Sequence, residues 1–193
     1  PSFNAIFPPR KMLPYRKPRN ESPQFTNDRL MDVALLINDL NSDQVDLRRR
    51  AAEGLSRHPG AQAASVSLVR ACSDPDEQVR EWAVAALEEL GQPSVGDVSA
   101  LSGMLKGPSG DLAYWAATLL GRLGEQGAAA VPQLTDLLDS QSAVTSRQQA
   151  AWALGKIGRP ATAAIDTLRR AAASDDPRLA RLAGQALEQI AAS

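Results

Sequence analysis

The sequence predicts an all-α fold: a right-handed α-α superhelix, or solenoid, of five stacked helical hairpins over residues 28–193, preceded by an extended, Pro-rich basic arm at residues 1–27. Three observations carry the expectation. Leu55, Leu87, Leu120, Leu154 and Leu187 recur at intervals of 32, 33, 34 and 33 residues. Alanine stands four residues before each of them, at Ala51, Ala83, Ala116, Ala150 and Ala183. Proline and phenylalanine, by contrast, crowd the first 27 residues, with six of the 13 prolines and all three phenylalanines. A period of about 33 residues is a repeat signature, because a two-helix unit buries only one face and gains stability by stacking on its neighbours.

The arm comes first in the chain. Pro1, Pro8, Pro9, Pro14, Pro18 and Pro23 fix φ and push the preceding residues extended, so this segment cannot be one helix. Between the prolines lie apolar anchors, Phe3, Ile6, Phe7, Met12, Leu13, Tyr15 and Phe25. A disordered tail is ordinarily poorer in such residues. Ordering the arm alone costs more conformational entropy than its anchors return, so it is expected to order only along the repeat body or a partner subunit.

Each repeat then opens with a first helix, expected near 28–40, 62–73, 96–106, 128–139 and 161–173, where apolar residues recur at three and four, as in Val33, Leu36, Ile37 and Leu40. Asp74-Pro75, Gly107-Pro108 and Asp176-Pro177 break the chain before the second helix, where proline suits a first helical position. Each second helix carries the register leucine and alanine on one face, together with Leu47, Val79, Leu112, Ser146 and Leu179 eight residues before the leucine and His58, Leu90, Leu123, Ile157 and Ile190 three after it. Gly91, Gly124 and Gly158 read as C-terminal stops.

Composition narrows the function. One cysteine, Cys72, leaves no internal disulfide framework or Cys-rich zinc site, and one histidine, His58, leaves no His pair for metal or haem, so neither metal nor cofactor is expected. No apolar run reaches the roughly 18 residues of a membrane span. The net charge of −1 divides into +4 on the arm (Arg10, Lys11, Arg16, Lys17 and Arg19 against Glu21) and −5 on the body, a balance that weighs against nucleic acid. The chain opens on Pro1 rather than Met, which fits loss of an initiator, cleavage of a leader or excision from a longer protein. A cytoplasmic location is the expectation, and an exported one if a leader was cleaved.

Within this frame, Val79-Arg80 through Ala83 to Ala86-Leu87 and Leu90-Gly91, and Arg147 through Ala150-Ala151 to Ala153-Leu154-Gly155, resemble the second helix of HEAT repeats, in particular the short Ala-rich class of bilin-lyase-like proteins. The resemblance spans roughly residues 28 to 191. It implies that Asp74 and Arg80 tie successive repeats together and that the second helices line a concave binding face. The pattern is broken by His58-Pro59 in the first repeat, by Ala113 in the third and by Ala180 in the fifth, so the Arg ladder is incomplete.

Trp82 and Trp115 share a register position, and Trp152 sits farther round on the same side. They form either an aromatic ridge for a partner, tryptophan being favoured at binding hot spots, or seam fillers between Ala-rich repeats. Arg48, Arg80 and Arg147 lie on the other flank, where salt bridges to Asp74 or Asp139 are the plainer account. Arg48-Arg49-Arg50 reads as a solvated helix face, His58 as a helix-end group and Cys72 as a small buried residue. No glycine-rich phosphate loop, G-x-S-x-G elbow or HExxH occurs, and Glu88-Glu89 and Asp175-Asp176 suit capping better than acid-base work.

The expected function is therefore non-catalytic protein binding, as a scaffold or subunit of a larger assembly, with self-association open. Contacts are expected from Phe3, Ile6, Phe7, Leu13, Tyr15, Phe25, Trp82, Trp115, Trp152, Arg80 and Arg147. Two alternatives come from HEAT-like relatives: a bilin lyase or isomerase, and a nucleic-acid binder resembling HEAT-like DNA glycosylases.

Overall fold

The computed structural model describes residues 32–107 and 109–192. The arm at residues 1–27, the expected helical start at 28–31 and Pro108 lie outside the described residues. The described residues form ten α-helices in five consecutive hairpins, with no strand among them. The first helices are α1 (Val33–Leu40), α3 (Ser65–Ala71), α5 (Val98–Met104), α7 (Val131–Asp139) and α9 (Ile165–Ala172). Their partners, the second helices, are α2 (Val45–Ser56), α4 (Glu77–Glu89), α6 (Gly110–Arg122), α8 (Val144–Ile157) and α10 (Pro177–Ala192).

Several boundaries differ from the sequence expectation. Helix α1 starts at Val33 because the Asp32 carboxylate accepts the Ala34 N–H at 3.0 Å and caps it. The four later first helices open on 3-10 turns, Ala61–Ala64, Val95–Asp97, Gly124–Ala130 and Arg159–Ala164, rather than running as single α-helices. Small residues tolerate the tighter winding that brings the chain round from the preceding hairpin. Gly124 and Gly158 stop their helices with φ of 57° and 72°, conformations that side chains disfavour. Gly91 does not act this way, since α4 ends where Leu90 turns extended. Pro177 opens α10, but Pro75 stands one residue ahead of the capping Asp76 rather than inside α4.

The repeat register is the core. The five register alanines are at most 1% exposed, as are Leu55, Leu87, Leu120 and Leu154, whereas Leu187 in the last hairpin is half-buried. Each fully buried leucine is worth about 1.5–3 kcal/mol, so the leucine column stabilises the stack far more than any one surface contact.

The spacing between second helices follows two register positions, the residue after the leucine and the residue before the next repeat's leucine. At α6–α8 these are Gly121 and Ala153, and at α8–α10 Gly155 and Ala186. A Cβ built on either glycine would lie 2.9 Å from the Cα of the facing alanine. Helices α2 and α4, with Ser56 and Ala86 at those positions, also pack closely. The same positions at α4–α6 hold Glu88 and Leu119, and these two helices barely approach. There α3 rather than α4 approaches α6, and polar links add to the packing: Ser65 Oγ donates to Asp97 at 2.5 Å, Ser73 Oγ bonds Ser109 Oγ at 2.9 Å, and Arg122 donates to the Leu87 carbonyl at 2.9 Å and to that of Leu90.

Candidate interaction surface

The second-helix layer holds the three tryptophans, and their surroundings differ. Trp82, on α4, is half-buried, with the Arg57 guanidinium 5.3 Å from its ring centroid. Arg57 in turn pairs with Glu53 at 3.0 Å. Trp152, on α8, is also half-buried. Lys156, one turn on, sits 5.9 Å from its ring, which packs against Gly121 of α6. A cation over an exposed indole contributes about 0.5–1 kcal/mol and fixes the ring's orientation.

Trp115 is different. It shares the register of Trp82 but is only 4% exposed, packed edge-to-face with Tyr114 at 5.3 Å between centroids. Helix α6 is buried along every residue from Ala113 to Gly121, so it offers no free ring for a ridge. Burial also raises the pKa of the Tyr114 phenol. The expected three-tryptophan ridge therefore reduces at the surface to Trp82 and Trp152.

The arginines serve mainly as struts. Arg48 makes a two-pronged bond to Asp74 of the next repeat, at 2.7 and 3.1 Å, and also donates to the Ser42 and Asp43 carbonyls. Arg49 does the same to Asp76, at 2.9 and 2.6 Å, while Asp76 caps α4 by accepting the Val79 N–H. The guanidinium of Arg49 holds the Asp76 carboxyl down at a pKa of about 2, helped by the Val79 N–H. Two of the three residues in the Arg48-Arg49-Arg50 run thus join repeats rather than simply facing solvent. Gln148 stands at Arg49's register position and donates to Asp176 at 2.8 Å, and Asp176 caps α10. That bond and the cap lower the Asp176 pKa.

Arg80 donates to the Asp74 and Pro75 carbonyls in the loop before its own helix, and Arg147 to the Leu138 carbonyl in the last turn of α7. The Asp74 carboxylate belongs to Arg48, and Asp139 pairs with Arg170 at 3.1 Å rather than with Arg147. His58 Nδ1 accepts the Gly60 N–H at 2.9 Å, which places its ring in the turn after α2. Cys72 is 3% exposed, and burial, with a smaller contribution from the Asp111 charge, pushes its thiol up to about 12.

Sequence reasoning missed Arg57, Lys156 and Arg122. Lys156 was legible as the residue four after Trp152. Arg57 and Arg122 reach into the preceding or following repeat, and their roles appear only once the stacking is known. The expected contacts Phe3, Ile6, Phe7, Leu13, Tyr15 and Phe25 lie outside the described residues. Among the described residues no group of three His, Cys, Asp or Glu side chains is placed to hold a metal, and no helix is long and apolar enough to cross a membrane.

Paired helices repeating in one register, braced by side chains reaching from hairpin to hairpin, define a helical-repeat protein of the α-solenoid class. The family model for HEAT repeats matches residues 33–106 and 98–188, so the chain belongs to the HEAT-repeat family. Among solved structures it is similar to the complex of CpcE and CpcF of phycocyanin lyase from a Nostoc species, with 26% identity and a TM-score of 0.61 over 92% of this chain and 69% of that one. A designed armadillo repeat protein in complex with the peptide (KR)4 shares the fold at 17% identity and a TM-score of 0.59, over 82% of this chain and 81% of that one. An engineered protein does so at 23% identity and a TM-score of 0.60, over 83% and 79%. No curated protein matches the sequence.

Proposed function

We propose that the repeat body is a non-catalytic scaffold that grips another protein through the second-helix surface around Trp82 and Trp152, with the N-terminal arm as a further clamp. The observation that supports this most directly is the pair of half-buried indoles, each held under a cation. Rigid aromatic rings next to a positive charge suit a protein hot spot, because they bury a large area at little entropic cost. Arg80, Arg147 and Trp115 have no part in this surface, being engaged or buried inside the repeats.

The test starts from affinity purification out of the native source. With the recovered partner, Trp82→Ala and Trp152→Ala should each weaken binding about tenfold or more, equivalent to about 1.4 kcal/mol, while helix content is retained. Deleting residues 1–25 should weaken it further. Unchanged affinity in both tryptophan variants rejects the surface, and unchanged affinity in the deletion removes the arm from the function.

A second reading draws on the likeness to the phycocyanin lyase complex: a bilin lyase or isomerase subunit. Incubation with a bilin and a phycobiliprotein subunit discriminates it, since a shifted absorbance band, absent without the chain, favours the lyase and an unchanged spectrum removes it.

A further inference from the structure

Among the described residues the array ends on α10, and the repeat register shows which face of α10 a following hairpin would cover. On α8 the side towards α10 carries Gln148, Ala151 and Gly155, which stand six before, three before and one after the register leucine. Gln148 bonds Asp176, Ala151 is 0% exposed, and a Cβ built on Gly155 would press on Ala186. The matching residues of α10 are Arg181, Gly184 and Glu188, of which Arg181 and Glu188 are exposed and Gly184 half-buried.

A repeat array needs a polar outer face at its ends, and the two charges meet that need. Three details go beyond it. Leu187 is half-buried where the other four register leucines are at most 1% exposed, so it lacks the cover that they have. Arg181 stands where Arg49 and Gln148 reach forward to Asp76 and Asp176, and it bonds only Gln185 of its own helix, at 3.2 Å. Gly184 has no reason within the chain to be glycine. A Cβ there meets nothing within 4 Å, its φ is not in the left-handed region, and Ala52, Ala117 and Ala151 at the same register position are alanine, the better helix former. At Gly121 and Gly155 the missing side chain admits a neighbouring helix, and Gly184 offers the same close approach.

The charges specify what approaches. Arg181 and Glu188 are equally far from the midpoint between Gly184 and Gln185. A second α10 laid antiparallel about a two-fold axis at that midpoint therefore sets each Arg181 opposite Glu188 of the other copy, with Gly184 beside the crossing and Leu187 flanking it. We propose that the chain forms a two-fold dimer through this face of α10. A hairpin of another protein would have to bring its own acceptor and donor at the right spacing, whereas a second copy supplies both. The end of a two-helix layer measures about 24 Å by 20 Å, so two copies bury on the order of 1,000 Å², the size of a weak and reversible contact. The expected dissociation constant is on the order of 100 µM, so a thermal melt at about 5 µM reads the monomer. Trp82 and Trp152 lie on other helices, which makes this face independent of the surface they form.

Sedimentation equilibrium of the full chain between about 5 µM and 1 mM, at low ionic strength, reads the association directly. The unaltered protein should pass from monomer to dimer and stop there. Arg181→Glu and Glu188→Arg each set like charges opposite one another twice across the axis, and each should weaken the dimer about tenfold or more. Both residues are exposed, so helix ellipticity should not change. An equimolar mixture of the two single variants should associate again, because an acidic face then meets a basic one, and the chain carrying both changes should regain the dimer. Gly184→Leu, which projects a side chain into the crossing, should also weaken it about tenfold or more. A chain that stays monomeric to about 1 mM overturns the proposal. So do dimers indifferent to both charge changes, single variants that associate no better mixed than apart, and growth beyond the dimer, which marks head-to-tail stacking instead.

Discussion

A single methyl group added at Gly121 and, separately, at Gly184 should move stability in opposite directions. At Gly121 the new Cβ would stand 2.4 Å from Trp152 Cζ3 and 2.9 Å from both Trp152 Cε3 and Ala153 Cα. The half-buried ring can swing aside, but the Ala153 Cα is backbone, so α8 must retreat to restore the roughly 3.5 Å of ordinary carbon contact. Because the facing atom is backbone, the overpacking cost falls in the upper part of its usual range, about 2–3 kcal/mol, and the better helix propensity of alanine returns about 0.8–1 kcal/mol, leaving a net loss of about 1–2 kcal/mol. For a body of this size that corresponds to a melting midpoint lower by about 2–8 °C. At Gly184 a Cβ meets nothing within 4 Å, so Gly184→Ala keeps the propensity gain and should raise the midpoint by about 2–4 °C. Thermal melts followed by helix ellipticity and by tryptophan fluorescence read both. Adding Trp152→Ala to Gly121→Ala removes the ring contact but not the backbone one, so relief of the overpacking should be partial. A Gly121→Ala protein as stable as the parent would refute the argument that this position sets helix spacing.

Other consequences follow from the same contacts. Ala116→Leu enlarges a register position that is 0% exposed and should destabilise by about 1–3 kcal/mol, measured by urea unfolding. Asp76 has its carboxyl held at about 2 against an ordinary 3.8, so the stabilisation it contributes is complete above the ordinary value and disappears as pH falls towards 2. Asp76→Asn should flatten the acid limb of urea midpoints across that window, and an unchanged acid limb counts against the Arg49–Asp76 latch. Cys72, with its thiol pushed up to about 12, should react with an aromatic disulfide reagent at about pH 8 only as fast as the fold opens. Labelling within seconds of mixing, in protein that is still folded, contradicts its burial.

The repeat architecture was legible because its determinants are periodic: the leucine and alanine columns name the buried face without reference to any partner element. Boundaries were less so, since 3-10 turns and the Asp32 cap depend on how each hairpin meets the last. The surface divided along similar lines. Trp82 and Trp152 could be picked out by residue type, but equal register did not make Trp115 equal to Trp82. Exposure depends on how completely a helix is enclosed, and α6 is enclosed along its central turns. The ties of Arg48 and Arg49 to Asp74 and Asp76 link positions 26 and 27 residues apart, pairings that charge alone leaves ambiguous.

The seam between α4 and α6 gives the array uneven compliance. Elsewhere, glycine, serine and alanine bring neighbouring second helices close, and such short-range contacts resist shear steeply. Across this seam the load is shared between the smaller contact of α3 with α6 and the Ser65–Asp97, Ser73–Ser109 and Arg122 bonds, which tolerate small rotations with little steric penalty. Bending under load should therefore concentrate there, with two hairpins swinging against three. A client fastened to both halves would act as a splint, stiffening the joint without altering either side.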